Sequence, residues 1–244
     1  MLILAAIFVV SLGLGLSTIG EYRAGETSYN EAREVASVPD FEDVAATEEN
    51  KTDPYLAALS HIDFAALRDV NPDVFGWITI PGTKINYPLV QGEDNSFYLT
   101  HTWKGEANSS GAVFLDCDSN KRLSDFHSVL YGHRMRNGSM FAALKYYTDQ
   151  SFWEQHRYIY VSNGTACYKY AIFAAWEASV YGDAYTLYFA DDAEKQSYID
   201  ECLAAAAYST GIYPSPEDHL LTLSTCTGRG YSTRWIVQAV RVDE

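Results

Sequence analysis

Cys226 and Arg234 stand eight residues apart near the end of the chain, in the runs Leu220-Leu-Thr-Leu-Ser-Thr-Cys226 and Arg234-Trp-Ile-Val-Gln-Ala-Val240. Both runs are apolar and rich in strand-forming residues, and the seven residues between them include two glycines, which predicts two antiparallel strands joined by a loop. Across such a hairpin Cys226 and Arg234 fall nearly opposite one another on one face. A thiol beside a permanent cation favours the thiolate, and the same cation can stabilise an oxyanion. Alternation places Cys226, Ser224 and Thr222 on one face and Thr225, Leu223 and Leu221 on the other. The apolar set enters a core, and Ser224 is expected to line a cleft and hydrogen-bond a substrate.

A nucleophilic thiol needs a proton carrier. Of six histidines, His133 is preferred because it ends the β-like run Val129-Leu-Tyr-Gly-His133, where an imidazole can point out over a barrel rim. Unperturbed values near ~8.5 for the thiol and ~6.5 for imidazole make a neutral pair the starting point at neutral pH. The other three cysteines read as structural thiols: Cys202 on an apolar helical stripe, Cys167 opening an aromatic-rich strand, Cys117 in a polar turn. If a disulfide forms among them, Cys167–Cys202 is the least awkward pair, and Cys226 must stay reduced to act. Asp116-x-Asp118-x-Asn120 opens like a calcium loop, but Lys121 replaces the turn glycine and His127 the bidentate glutamate. No Cys-x-x-Cys or His-x-x-x-His spacing supports zinc, so neither a metal nor a cofactor is expected.

Strands are predicted at 75–80, 84–90, 111–116, 126–131, 157–161 and 167–180, followed by the final pair. Tyr55, Leu56, Leu59 and Ile62 fit one helical stripe. Asp63 is a good N-cap for a second short helix ending before Pro72. Short helices are expected at 140–147 and 151–156. A clearer one starts at Asp191–Asp192, with Tyr198, Ile199, Cys202, Leu203 and Ala206 on one face and Gly211 as its stop. About eight strands with one late helix fit a mainly β fold, a closed barrel with an inserted helix.

Thr-Leu-Ser-Thr-Cys226 followed by Arg234 resembles the active-site signature of sortases, cysteine transpeptidases of the Gram-positive cell surface. Tyr131-Gly-His133 with Arg-Met-Arg-Asn-Gly-Ser-Met-Phe141 is similar to the class B members. So are Asp63-Phe64, Asn71-Pro-Asp-Val-Phe-Gly-Trp-Ile-Thr-Ile-Pro-Gly82 and Ile85-Asn-Tyr-Pro-Leu-Val-Gln91. The resemblance runs from about Ile62 to the C-terminus. It implies a closed eight-stranded barrel with N-terminal helices and a helix between the sixth and seventh strands. It also implies His133, Cys226 and Arg234 as catalytic residues, with Asn86 and Tyr188 as weaker carry-overs for substrate binding. The expected reaction cleaves a C-terminal sorting signal after Thr through a Cys thioester. A peptidoglycan precursor or pilin amine then takes up the surface protein. The loop 181–190 is the expected discriminating surface between Asn-Pro-x-Thr-type and Pro-x-Thr-Gly-type signals.

The net charge of −15 is uneven, with ten acids against three bases in residues 21–53. No basic stripe offers a face to nucleic acid. Leu2–Ile19 is a run of 18 uncharged, mostly apolar positions, just long enough for a membrane helix. Residues 1–20 are therefore expected to be a single-pass signal anchor, 21–53 an acidic stalk, and 54–244 an extracellular catalytic domain held at the cell membrane. From the residues alone, a thiol hydrolase of other specificity and a non-catalytic surface β module remain alternatives to a transpeptidase.

Overall fold

Eight strands form where the sequence is β-branched and aromatic: β1 (Val74–Thr79), β2 (Asn86–Val90), β3 (Val113–Leu115), β4 (His127–Tyr131), β5 (Tyr158–Ser162), β6 (Cys167–Ser179), β7 (Leu220–Cys226) and β8 (Thr233–Val242). The computed structural model describes residues 2–41 and 53–242, with residues 2–18 as backbone alone. The strands close into a barrel in the order β1-β2-β3-β4-β7-β8-β6-β5. Neighbours are antiparallel except for two parallel pairs, β2 with β3 and β4 with β7. The final two strands pair in the predicted register, with Cys226 opposite Arg234.

Helices cover the barrel. α1 runs Leu2–Val35. α2 (Pro54–Ser60) begins with Pro at its first turn and is capped by the Asp53 carboxylate, which accepts from Tyr55 N. α3 (Phe64–Val70) is capped by Asp63 through Ala66 N and buries Phe64 and Leu67. Because α3 packs on β1, every residue of β1 is buried on one face or the other. The expected helix at 140–147 is a 3-10 turn, Ala142–Thr148, and α4 spans Gln150–Gln155. α5 (Asp192–Ala205) lies between β6 and β7, capped by Asp191, with Tyr198, Ile199 and Cys202 buried. It ends at Ala205, well before Gly211, because Ala206 leaves the helical region at ψ 138°. All four cysteines are free thiols, so Cys167 and Cys202 do not form the pair considered above.

The N-terminal expectation needs correction. No helix among the described residues is long and apolar enough to cross a membrane, which overturns the single-pass anchor of residues 1–20 and the membrane location drawn from it. The side chains of residues 1–18 lie outside the described ones. Instead of ending at a membrane face, α1 continues through Glu21 to Val35, and its last turns are spent on the barrel. Tyr29, Ala32, Ala36 and Phe41 enter the main core, so the stalk expected over 21–53 is instead a packing element up to Phe41. Residues 42–52 lie outside the described residues.

Polar contacts fix α1 in place. The Tyr29 hydroxyl donates to Gly111 O, and Trp103 Nε1 donates to Ser28 O at 2.9 Å. Tyr29 also meets Tyr87 edge to face at 5.1 Å. Replacing Tyr29, which is 3% exposed, by Ala is expected to cost about 3–5 kcal/mol in urea unfolding, against about 1 kcal/mol for Tyr29→Phe, which removes only the hydroxyl. Equal stability of wild type and Tyr29→Ala would show that α1 is not part of the folded unit.

Candidate active site

β4 and β7 run parallel, with Val129 opposite Thr222 and Tyr131 opposite Ser224. Two residues beyond each of the last pair stand His133 and Cys226. The ladder is prolonged past the strand ends by Gly132 N donating to Ser224 O at 3.2 Å and Thr225 Oγ1 donating to Gly132 O at 2.7 Å. The imidazole therefore reaches the thiol, and the two share a hydrogen bond. The other fixed point is Leu99 O, 2.6 Å from His133 Nε2. A carbonyl only accepts, so Nε2 carries a proton and Nδ1 is the ring's exchangeable position.

Close packing holds that ring. Gly111 has φ +57°, and a Cβ there would come within 3.0 Å of His133 Cδ2 and 2.6 Å of Tyr98 O. A Cβ at Gly132 would lie 2.8 Å from the Phe141 ring, whose backbone N bonds His133 O at 2.9 Å. A side chain at Gly111 would press on the His133 ring and the Tyr98 carbonyl, and one at Gly132 on the Phe141 ring that packs beside them.

Arg234 enters from the facing strand. Its Nη1 donates to Tyr231 O and Thr233 O, both at 2.9 Å, which pins the guanidinium to the hairpin while the side chain still lines a groove. The groove holds about 400 Å³ and is walled by Leu99, Phe114, Tyr131 and Tyr185, with Ser224 at its base. Ser224 Oγ lies 3.0 Å from Tyr185 OH, and the Tyr185 ring stacks on Tyr131 at 6.1 Å.

These neighbours move both ionisations toward the ion pair. The hydrogen bond to His133 pulls Cys226 below the ordinary thiol range, against the opposing effect of burial, with Arg234 and then Arg134 acting in the same direction. The bond to Cys226 and the Leu99 carbonyl raise His133, against burial and Arg234. The remaining thiols behave oppositely. Burial pushes Cys202 up to about 12 and raises Cys167, and burial with Asp116 raises Cys117.

Of the residues expected from sequence, the structure brings His133, Cys226, Arg234 and Ser224 together and leaves Asn86 and Tyr188 elsewhere. Asn86 Oδ1 accepts from Trp77 Nε1 at 2.7 Å and its carbonyl accepts from Arg33 at 3.0 Å, so its polar groups are used to fasten β2 to β1 and α1. Tyr188 is 74% exposed and lines a separate depression with Asp118 and Lys195. Tyr185, three residues earlier, lines the groove with Ser224 and Arg234. Leu99 went unpredicted because it acts through its carbonyl, which leaves no mark in a side-chain pattern. Asp116, Cys117 and Asp118 bring ligand atoms within 4.8 Å of one another, but Asp116 Oδ2 already accepts from Asn95 at 2.9 Å and Tyr131 at 2.8 Å.

A thiol beside an imidazole, with a guanidinium opposite it that lines the neighbouring groove, defines an enzyme of the cysteine-nucleophile class. Residues 78–242 match the family model described as the sortase domain. The chain is 34% identical to sortase B of Listeria monocytogenes over 176 residues, 70% of this chain and 71% of that one. It is 31% identical to sortase B of Staphylococcus aureus over 163 residues, 67% of each. Its fold superposes on the Staphylococcus aureus sortase B–substrate complex with a TM-score of 0.76 at 25% identity, covering 91% of this chain and 98% of that one. The chain belongs to the sortase family, as a sortase B-type cysteine transpeptidase with the closed eight-stranded barrel of that class.

The pair titrates in a testable way. Alkylation of Cys226 by iodoacetamide should persist below the usual thiol range and fall only as the thiolate is protonated at lower pH. His133→Gln should move that midpoint upward toward ~8.5, and Gly111→Ala should move it part of the way. An unchanged midpoint in His133→Gln would show that the histidine does not set the thiol.

Proposed function

We propose that Cys226, His133 and Arg234 carry out transpeptidation on a protein bearing a C-terminal sorting signal, cleaving after Thr. What supports this reading is that the thiol and the imidazole lie together at one end of the barrel, with Arg234 opposite Cys226 and lining a groove of about 400 Å³. The Cys226 thiolate adds to the threonyl carbonyl carbon, and the charge that develops on oxygen is met by Arg234, whose fork is held open by its two hairpin carbonyls. Collapse expels the C-terminal fragment as an amine, which takes a proton from the His133 imidazolium, and leaves a thioester on Cys226. An incoming amine, from a peptidoglycan precursor or a pilin, adds to that thioester and gives its proton back to His133. The thiolate then leaves and the new amide is formed. The thioester keeps the acyl group activated, so transfer wins wherever the amine outcompetes water.

Ser224 and Tyr185 line the groove beside the reacting carbonyl. Their mutual hydrogen bond leaves the serine hydroxyl oriented, and the stacked Tyr131 and Tyr185 rings give a proline-containing peptide an apolar wall.

Intact mass of wild type with an Asn-Pro-x-Thr-type or Pro-x-Thr-Gly-type peptide should show an acyl adduct that Cys226→Ala lacks, and an adduct on Cys226→Ala would overturn the assignment. Adding a small amine should yield ligated peptide. Hydrolysis alone under those conditions would make the enzyme a thiol hydrolase. Arg234→Lys keeps the charge and loses the planar fork, and should reduce kcat by about 10²–10³-fold while the fold survives. Unchanged turnover would make Arg234 a structural cation.

A further inference from the structure

His127 is wholly buried and takes no part in the chemistry above. Its Nδ1 lies 2.7 Å from Thr186 O and its Nε2 2.6 Å from Thr222 Oγ1. Thr186 O can only accept, so Nδ1 carries the proton. Burial holds the ring neutral, its value pushed down to about 4, so Nε2 accepts and Thr222 must donate its hydroxyl proton there. Thr222 Oγ1 in turn accepts from Gln238 Nε2 at 3.0 Å. The same amide donates to Tyr198 OH at 2.5 Å, and Tyr198 OH donates to Ala184 O at 3.4 Å. Thr222, Gln238 and Tyr198 are buried as well.

Both arms of this network end on the β6–β7 loop, and they are cross-linked where the Tyr198 hydroxyl lies 3.3 Å from His127 Nε2 and 3.4 Å from its Nδ1. One holds the carbonyl of Ala184 and the other the carbonyl of Thr186. Between them sits Tyr185, whose hydroxyl meets Ser224 in the groove. Gln238 Oε1 is buried without a hydrogen-bond partner, a cost that satisfying core groups alone would not require. α5 contributes Tyr198 to the network, so the inserted helix takes part in holding the loop above it.

We propose that His127, Thr222, Gln238 and Tyr198 form a buried positioning network that fixes Tyr185 and thereby sets how tightly the groove holds its peptide. This rests on the transpeptidase reading only for the identity of the peptide. The network acts on binding and leaves the thiol alone, since none of its members contacts Cys226 or His133.

Thr222→Val preserves shape and deletes the hydroxyl, and Thr222→Ser restores it. In the full chain, Thr222→Val should speed amide hydrogen exchange over 183–189 and raise KM for Asn-Pro-x-Thr-type and Pro-x-Thr-Gly-type peptides, each by about five- to tenfold, the worth of one ordinary hydrogen bond. kcat and the alkylation rate of Cys226 should stay within about twofold, and Thr222→Ser should return both altered readouts to wild type. If Thr222→Val does not fold, Tyr198→Phe removes the arm on Ala184 with its cross-link and should produce the same split at about half the effect. Unchanged loop exchange and KM in a less stable Thr222→Val protein would overturn the proposal and leave the network a core-packing feature. Loss of Cys226 alkylation would overturn it by showing that the network acts on the thiol. Faster loop exchange in a chain whose wild type turns over no such peptide would instead count against the sorting reaction and leave the positioning of the loop standing.

Discussion

Everything at the candidate site depends on the register of one parallel strand pair. Tyr131 opposite Ser224 puts His133 and Cys226 at matching distances past the strand ends, where Gly132 and Thr225 prolong the ladder. A slip of one residue would turn Ser224 and Cys226 into the barrel and Leu223 and Thr225 outward. The apolar packing of Leu221 and Leu223, both fully buried, resists that slip. The core thus fixes the thiol's direction, and the chemistry inherits its precision from hydrophobic packing on the opposite face of the same strand.

The electrostatics follow from that placement. Half-burial alone would raise a thiol, as it does Cys167. At Cys226 the imidazole bond outweighs it, and two guanidinium groups add to the same direction. Arg134 is held against Gly228, where a Cβ would come within 1.7 Å of Nη2, and its Nε is buried with no hydrogen-bond partner. Burying that nitrogen unpaired is costly by itself. Arg134 thus adds to the pull of Arg234 on the Cys226 thiolate.

The strands were legible in the sequence because each is a short β-branched or aromatic run bounded by turn residues, and the hairpin register followed from the spacing of Cys226 and Arg234. Parallel pairing of β4 with β7 was not legible, since no local pattern links segments so far apart. α1 was misread for a related reason. Its apolar first half matched the length of a membrane helix, while the tyrosine and alanines that pack on the barrel are too sparse to stand out among the acids of 21–53. In the groove, Ser224 followed from alternation with Cys226. Tyr185 could not be told from Tyr181 and Tyr188, because only the fold reveals which of these loop rings is pulled inward.

The separation of the two halves of the site has a consequence for biogenesis. Gly132 and Thr225 bond across 93 positions, and β8, which completes the barrel between β7 and β6, comes after the other seven strands in chain order. Contacts of such high order form late in folding, after loop-closure entropy has been overcome. Until then Cys226 lacks its imidazole and guanidinium partners and titrates near ~8.5 like any exposed thiol. The nascent chain therefore carries an ordinary cysteine through synthesis, and the reactive thiolate exists only in a protein that has already closed its barrel.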